Sequence, residues 1–219
     1  MDRKAVIWDL DGVIVDTIPY HLKAWRQLFS KRGKQDLAKR DFREIFGQRN
    51  DDTIKKVFGK KIPPQELAAL SEEKEEYFRR QIKKGKIKPM PGVLELLASL
   101  REGGFHQALV SSAPMENITF LLSSLGINKD FEAIIASEDV SRGKPEPEGF
   151  LLAARKLNVA EGRCVAIEDT VAGIKAAKRA GMGCLAITGT YEREDLAEAD
   201  IVVESLKRVT VKDFERLLR

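Results

Sequence analysis

The sequence predicts an α/β protein: a doubly wound, mainly parallel sheet with an all-helical domain inserted after its first strand. Short apolar runs rich in β-branched residues recur along the chain, and from residue 91 onward they alternate with helix-period segments. Near-continuous apolar strands, each followed by a helix, fit a parallel sheet covered on both faces. Residues 17–87 lack any strand pattern, far more chain than an ordinary crossover needs.

The first strand is expected at Ala5-Val6-Ile7-Trp8, and the later ones at 108–110, 133–136, 164–167, 184–187 and 201–203. Core helices are expected over 92–102, 115–125, 147–157, 170–180 and 211–218, with Thr170 as an N-cap and Gly181 just past a helix end. Within the insertion, helical patterns occupy 17–32, 41–47, 51–58 and 64–84, punctuated by Gly33, Gly47 and Ile62-Pro63-Pro64. The expected division is a core of 1–15 and 88–219 and a helical cap of 16–87. Asp16 reads as the N-cap where the chain leaves the core, and Pro89 and Pro91 stiffen the return.

At 219 residues, with 43% apolar and 33% charged residues, the chain falls in the globular class. No apolar run approaches the roughly 20 residues that span a bilayer, and the start shows no leader pattern. A cytoplasmic protein with no membrane partner is expected. The net charge of +4 is a small excess of 38 basic over 34 acidic residues, and runs such as Lys55-Lys56 read as solvated helix faces. No nucleic-acid partner is expected, and a monomer or weak homo-oligomer suffices. Cys164 and Cys184 have no second ligand at metal spacing and read as buried free thiols.

Four polar clusters interrupt this pattern at strand ends. Asp9 and Asp11, two apart at the close of the first strand, project to the same side, and Gly12 frees the backbone to turn. Two carboxylates this close repel unless a cation intervenes, and an all-oxygen set suits Mg2+. Glu168-Asp169 closes another strand at the same edge of the sheet. Ser111-Ser112 precedes Pro114 at a helix start, where a hydroxyl and free N–H groups suit an anion. Lys144 is held on a stiff loop by Pro145. Each cluster alone reads as capping or a solvated charge; together they form a site. If Asp9 attacked a phosphate dianion, two charge pairs at about 4 Å would cost roughly 8 kcal/mol at an effective dielectric of 20. Mg2+ and Lys144 would supply the compensating charge, with Ser111 on the equatorial oxygens. Asp9 would serve as nucleophile and Asp11 as general acid and base.

The ordered set Asp9-Leu10-Asp11-Gly12, Ser111, Lys144-Pro145 and Glu168-Asp169 resembles the four motifs of the haloacid dehalogenase-like superfamily of phosphotransferases. The resemblance spans essentially the whole chain. It implies a Rossmann-like core, a mobile cap and a Mg2+ cofactor held by Asp9, Asp11, Asp169 and Glu168, the last directly or through water. It also implies Ser111 and Lys144 on the phosphate, with Ser112 beside them. Within the superfamily, Asp16-Thr17-Ile18-Pro19-Tyr20-His21-Leu22-Lys23-Ala24-Trp25 and Gly47-Gln48-Arg49 resemble the cap of β-phosphoglucomutase and its phosphatase relatives. That likeness puts His21 at the mouth of the site and Arg49 on the distal phosphate of a sugar bisphosphate. Substrate identity is expected to lie in cap residues, with Lys74 and its neighbours as weaker candidates.

The chain departs from the mutase pattern after Ser111. Where the mutase carries Ser, Lys and Asn side chains that retain the distal phosphate, this chain has Ser112-Ala113-Pro114-Met115. The expected activity is therefore a Mg2+-dependent phosphatase acting on a small phosphorylated metabolite, such as a sugar phosphate, with a phosphomutase as the alternative. A receiver-like phospho-aspartate switch would need neither Asp11 nor a lid. A dehalogenase would make less use of Asp11 and the second acidic pair.

Overall fold

The computed structural model describes residues 3–34, 45–85 and 87–218. Its sheet has six strands, β1 (Lys4–Trp8), β2 (Phe105–Val110), β3 (Ala133–Ile135), β4 (Cys164–Glu168), β5 (Gly183–Ile187) and β6 (Ile201–Val203), in the order β3-β2-β1-β4-β5-β6. Every strand pairing is parallel. β1 is central, and the winding reverses between it and β4, which opens a crevice at their carboxyl ends.

Alternation along the strands sorts side chains onto two faces. Val6, Trp8, Leu109, Val165, Ile167 and Leu185 belong to one buried cluster, while Ala5, Ile7, Ala108, Cys164, Ala166 and Cys184 belong to the other. The first face takes α4 (Val93–Glu102), α5 (Met115–Leu125) and α8 (Val211–Leu217) through residues such as Leu97, Leu121 and Phe214. The second takes α6 (Glu148–Leu157) and α7 (Val171–Arg179), and its small residues meet Ala153, Ala154, Ala176 and Ala177, so these helices approach closely. Both cysteines are free and buried here, as expected. Burial pushes the Cys164 thiol up to about 12 and raises Cys184 further.

Between β1 and β2 come α1 (Ile18–Lys31), α2 (Asn50–Phe58) and α3 (Pro64–Ile82). α1 buries His21, Ala24, Trp25, Leu28 and Phe29 at helical spacing, and α3 answers with Leu67, Leu70, Lys74, Tyr77, Phe78 and Ile82. His21 and Lys74 thus occupy apolar-stripe positions. Of the helix expected over 41–47, residues 41–44 lie outside the described residues and 45–47 form a turn. The chain leaves and returns side by side: Val15 pairs with Pro89, and Met90 N–H donates to Ile14 O at 2.8 Å. Asp16 does not cap α1. The N-cap position is Thr17, whose hydroxyl donates to Asp11 Oδ1 instead. No described helix is long and apolar enough to cross a membrane.

Candidate active site

The crevice beyond β1, β2 and β4 gathers the polar residues. Trp8 ends β1, and Asp9 continues its line with an N–H bonded to Ile167 O at 2.9 Å. The chain then folds back over Leu10–Val15, closed by Gly12 N–H to Val15 O at 2.8 Å. Gly12 has φ +87°, and a Cβ there would lie 2.0 Å from Asp169 Oδ2. Only glycine permits both the turn and that approach.

Asp9, Glu168 and Asp169 are all buried, and each offers a carboxylate oxygen within 4.8 Å of the others. Lys144, 9% exposed, reaches in from the loop after β3 and donates to Asp9 Oδ1 and Glu168 Oε1. The second oxygen of Glu168 faces the start of α7, accepting from Thr170 Oγ1 at 3.1 Å and from the Asp169 N–H at 3.2 Å. Thr170 caps that helix as expected, accepting from the Gly173 N–H at 3.0 Å. Gly173 is obligatory for a separate reason: a Cβ there would sit 2.0 Å from the Glu168 carboxyl carbon.

Three acids around one lysine leave the cluster short of positive charge. Burial, opposed by Lys144 and reinforced by Glu168 and Asp11, pushes Asp9 up to about 8. Burial and the charges of Asp9 and Glu168 raise Asp169 well above the carboxylate range. Burial alone would lower Lys144, but Asp9 and Glu168 hold it firmly protonated. Asp169 Oδ2 accepts from Thr190 Oγ1, whereas its buried Oδ1 has no hydrogen-bond partner. An orphaned carboxylate oxygen beside two further acids fits a hard divalent cation.

Asp11 is not part of this acidic trio. Its side chain turns toward the helical insertion, where it accepts from Thr17 and lies 3.4 Å from His21 Nε2 and from Ser111 Oγ. Among the described residues, Asp9, Glu168 and Asp169 are the acids whose carboxylate oxygens cluster, and the fold-back after Leu10 aims the Asp11 carboxylate toward Thr17 and His21. Burial alone would raise Asp11, but His21, Thr17 and Lys74 hold it below its ordinary value. His21 is stacked on Phe78 at 4.0 Å, and its Nδ1 faces Lys74 Nζ at 2.9 Å. Burial and Lys74 depress its pKa. The neutral ring, with Nδ1 accepting from lysine, presents its Nε2–H to Asp11.

Ser111 Oγ accepts from the Ala113 N–H at 3.0 Å. Ser112 Oγ donates to Gly47 O at 2.7 Å, which joins the core to the insertion. Arg49 does the same from the other side: its Nη1 donates to Val140 O and Ser141 O at 3.2 and 3.1 Å. Arg49, Ser111, Ser112 and Lys144 line one cleft, and Asp11, His21, Lys74 and Ser112 line a second. Ser112 is common to the two clefts, while Asp9, Glu168 and Asp169 line neither and are joined to the first through Lys144. Sequence reasoning missed Thr17 and Thr190, ordinary hydroxyl residues in loops. It also missed Asn117, whose amide donates to Glu75, a neighbour of Lys74, in the interior.

The comparisons agree with this geometry. The family model for haloacid dehalogenase-like hydrolases matches residues 3–181. The chain is 34% identical to the β-phosphoglucomutase of Bacillus subtilis, over 95% of this chain and 92% of that one. It is 30% identical to the chloroplastic 5-amino-6-(5-phospho-D-ribitylamino)uracil phosphatase of Arabidopsis thaliana, covering 96% of this chain and 57% of that protein's length. The crystal structure of β-phosphoglucomutase from Clostridium difficile superposes with a TM-score of 0.89 at 30% identity, over 99% of this chain and 97% of that one.

Proposed function

The chain belongs to the haloacid dehalogenase-like hydrolases, and from that premise we propose that it is a Mg2+-dependent phosphatase of small phosphomonoesters, sugar phosphates or similar metabolites. The observation that carries the reading is the buried group at the end of β1: Asp9 clustered with Lys144, Glu168 and Asp169, and Asp11 facing Ser111. Asp9, Glu168 and Asp169 would hold the cation, which would neutralise developing phosphate charge. Its charge would also return Asp9 from about 8 toward the ionised form a nucleophile needs.

In the first step an Asp9 carboxylate oxygen bonds to phosphorus while the ester P–O bond breaks, and Asp11 delivers its proton to the leaving oxygen. In the second, Asp11 takes a proton from water as the water oxygen bonds to phosphorus. The bond from phosphorus to Asp9 breaks, releasing inorganic phosphate. Lys144 and the Ser111 hydroxyl stabilise the phosphoryl oxygens throughout. His21, Thr17 and Lys74 favour ionised Asp11, which suits the second step. A bound phosphate dianion supplies the opposing charge that raises its proton affinity for the first.

We take residues 16–87 as a cap that moves against a core of 1–15 and 88–219. Its support is the paired crossing at Val15 and Pro89, together with side-chain hydrogen bonds between the two parts, such as Ser112 to Gly47 and Arg49 to Val140 and Ser141. Closure would exclude bulk water.

Phosphomutase activity is the second reading, favoured by the likeness to the Bacillus subtilis enzyme. Against it, Ala113, Pro114 and Met115 offer no polar side chain to a distal phosphate, and Arg49 Nη1 is engaged by two carbonyls. A panel of sugar and polyol phosphates, assayed with and without Mg2+ for phosphate release and for isomerisation, separates the two. Mg2+-dependent phosphate release supports the phosphatase, and isomerisation without it supports the mutase.

A further inference from the structure

Resting on the reading of Asp169 as a ligand of the divalent cation, we propose that Thr190 is a positioning residue of the metal site: its hydroxyl fixes the Asp169 carboxylate and leaves Oδ1 free for the cation. Thr190 acts through Asp169 and not on the phosphate itself.

The three clustered acids are held very unequally. Glu168 is fixed from two sides: Lys144 donates to Oε1, while Thr170 Oγ1 and the Asp169 N–H donate to Oε2. Asp9 takes Lys144 on Oδ1, and its own N–H is anchored on Ile167 O. Asp169 is 1% exposed, yet among the described residues Thr190 is the one group that donates to its carboxylate, from Oγ1 to Oδ2. Oδ1 is buried without a partner. An unmatched buried oxygen costs free energy unless a further group meets it. A cation shared with the Asp9 and Glu168 oxygens, all within 4.8 Å of an Asp169 oxygen, would do so. With Oδ2 tied to Thr190, the carboxylate cannot swing its other oxygen out of the cluster without breaking that bond.

The fold brings Thr190 to this place by strand pairing. β5 runs parallel to β4 with Ala186 opposite Glu168, so the chain beyond Ile187 emerges beside Asp169. The turn there is tied down: the Thr188 N–H donates to Val203 O at 2.9 Å and the Gly189 N–H to Tyr191 O at 3.3 Å, with Gly189 at φ +138°. The Gly12 backbone closes in on the same two groups, since a Cβ there would lie 2.0 Å from Asp169 Oδ2 and 3.3 Å from Thr190 Oγ1. The hydroxyl and the carboxylate therefore meet in a buried, close-packed space. Groups that orient a metal ligand in this way typically contribute about 10- to 100-fold to metal affinity.

The test is Mg2+ affinity, read from the rise of the thermal unfolding midpoint along a Mg2+ series, in the wild type, Thr190→Val, Thr190→Ser and Thr190→Ala. Threonine and valine differ by the hydroxyl at nearly constant shape, and serine and alanine differ by the hydroxyl alone, so each pair isolates the hydrogen bond. The midpoint in EDTA reports folding of every variant in the same experiment. If Thr190→Val does not fold, the comparison of Thr190→Ser with Thr190→Ala decides. The expected result is an affinity lower by about tenfold or more in Thr190→Val than in the wild type, and in Thr190→Ala than in Thr190→Ser, with Thr190→Ser close to the wild type. Equal affinity within either pair whose members fold overturns the proposal and leaves the metal reading standing. A loss in Thr190→Ser as large as that in Thr190→Val assigns the effect to packing and overturns it too. A wild type whose midpoint does not respond to Mg2+ removes the metal site, and this inference with it. Hydrolysis of p-nitrophenyl phosphate by the wild type is assayed alongside. A wild type that binds Mg2+ but hydrolyses no ester fails the phosphatase reading, while the two hydroxyl comparisons still judge Thr190.

Discussion

Replacing Asp9 by asparagine abolishes turnover in this account, and without divalent metal it also stabilises the fold. Asp9 sits among like charges that, with burial, carry it from an ordinary 3.8 to about 8. Because the folded-state value lies above the unfolded one, the folded chain binds more protons between those values, and wild-type stability falls as pH rises through that window. Each displaced unit corresponds to about 1.4 kcal/mol, so the ceiling at pH 7 is about 4 kcal/mol. Asparagine keeps the shape and removes the charge. Thermal unfolding in EDTA at pH 7 is expected to show Asp9→Asn more stable by about 2–4 kcal/mol, a rise of roughly 5–15 °C for a chain of this length. The gap closes as pH falls toward 3.8, below which wild-type Asp9 is protonated in both states. It also narrows or reverses in Mg2+, which stabilises the folded wild type by mass action. Equal or lower stability of the variant in EDTA would refute the crowded-charge picture of the site.

Other outcomes follow from the same geometry. Alanine usually improves a helix by about 1 kcal/mol over glycine, but Gly173→Ala drives a Cβ into the Glu168 carboxylate. It is expected to destabilise by about 2 kcal/mol or more in denaturant titration and to weaken Mg2+ binding in calorimetry. Asp11→Asn should cut kcat by about 10^2 to 10^4 on alkyl phosphates. The loss should be much smaller in the aspartyl-phosphate formation burst with p-nitrophenyl phosphate, whose leaving group needs no proton; equal burst losses on both would remove the acid role. Cys164 and Cys184, buried and held far above the ordinary thiol range, are expected to resist a disulfide reagent at pH 8 until the chain is unfolded. Rapid labelling of the native protein would contradict their placement.

Much of this was legible because strands advertise themselves. The run ending at Trp8 and the one ending at Ile167 are apolar on both faces, so acids appearing immediately after them had to sit at the sheet's edge, and parallel pairing puts those edges together. Ser111 followed by the same reasoning, since β2 pairs with β1. The insertion was legible as length without strand pattern, but not its contacts. His21 and Lys74 stand in the apolar stripes of α1 and α3, where periodicity alone assigns core packing. The contacts of Glu75, next to Lys74, were not legible, and the approach of Asn50 and Asn117 shows it to be interior. The direction of the Asp11 side chain was not legible either. Two-residue spacing put it beside Asp9 as a metal ligand, but the chain stops being a strand after Trp8, and the strand's alternation no longer governs where Asp11 points. Asp16 failed as a cap for a local reason: the helix starts one residue later, and Thr17 has a better partner in Asp11.

The central claim is that Asp9 carries the phosphoryl group between substrate and water. Acid quenching of the protein during turnover of a hydrolysed sugar or polyol phosphate with Mg2+, followed by peptide mapping by mass spectrometry, tests it directly. The expected result is a phosphoryl group on the peptide containing Asp9, forming before inorganic phosphate is released and missing in Asp9→Asn. Phosphate release with no such adduct, or with the adduct on another residue, would contradict the account.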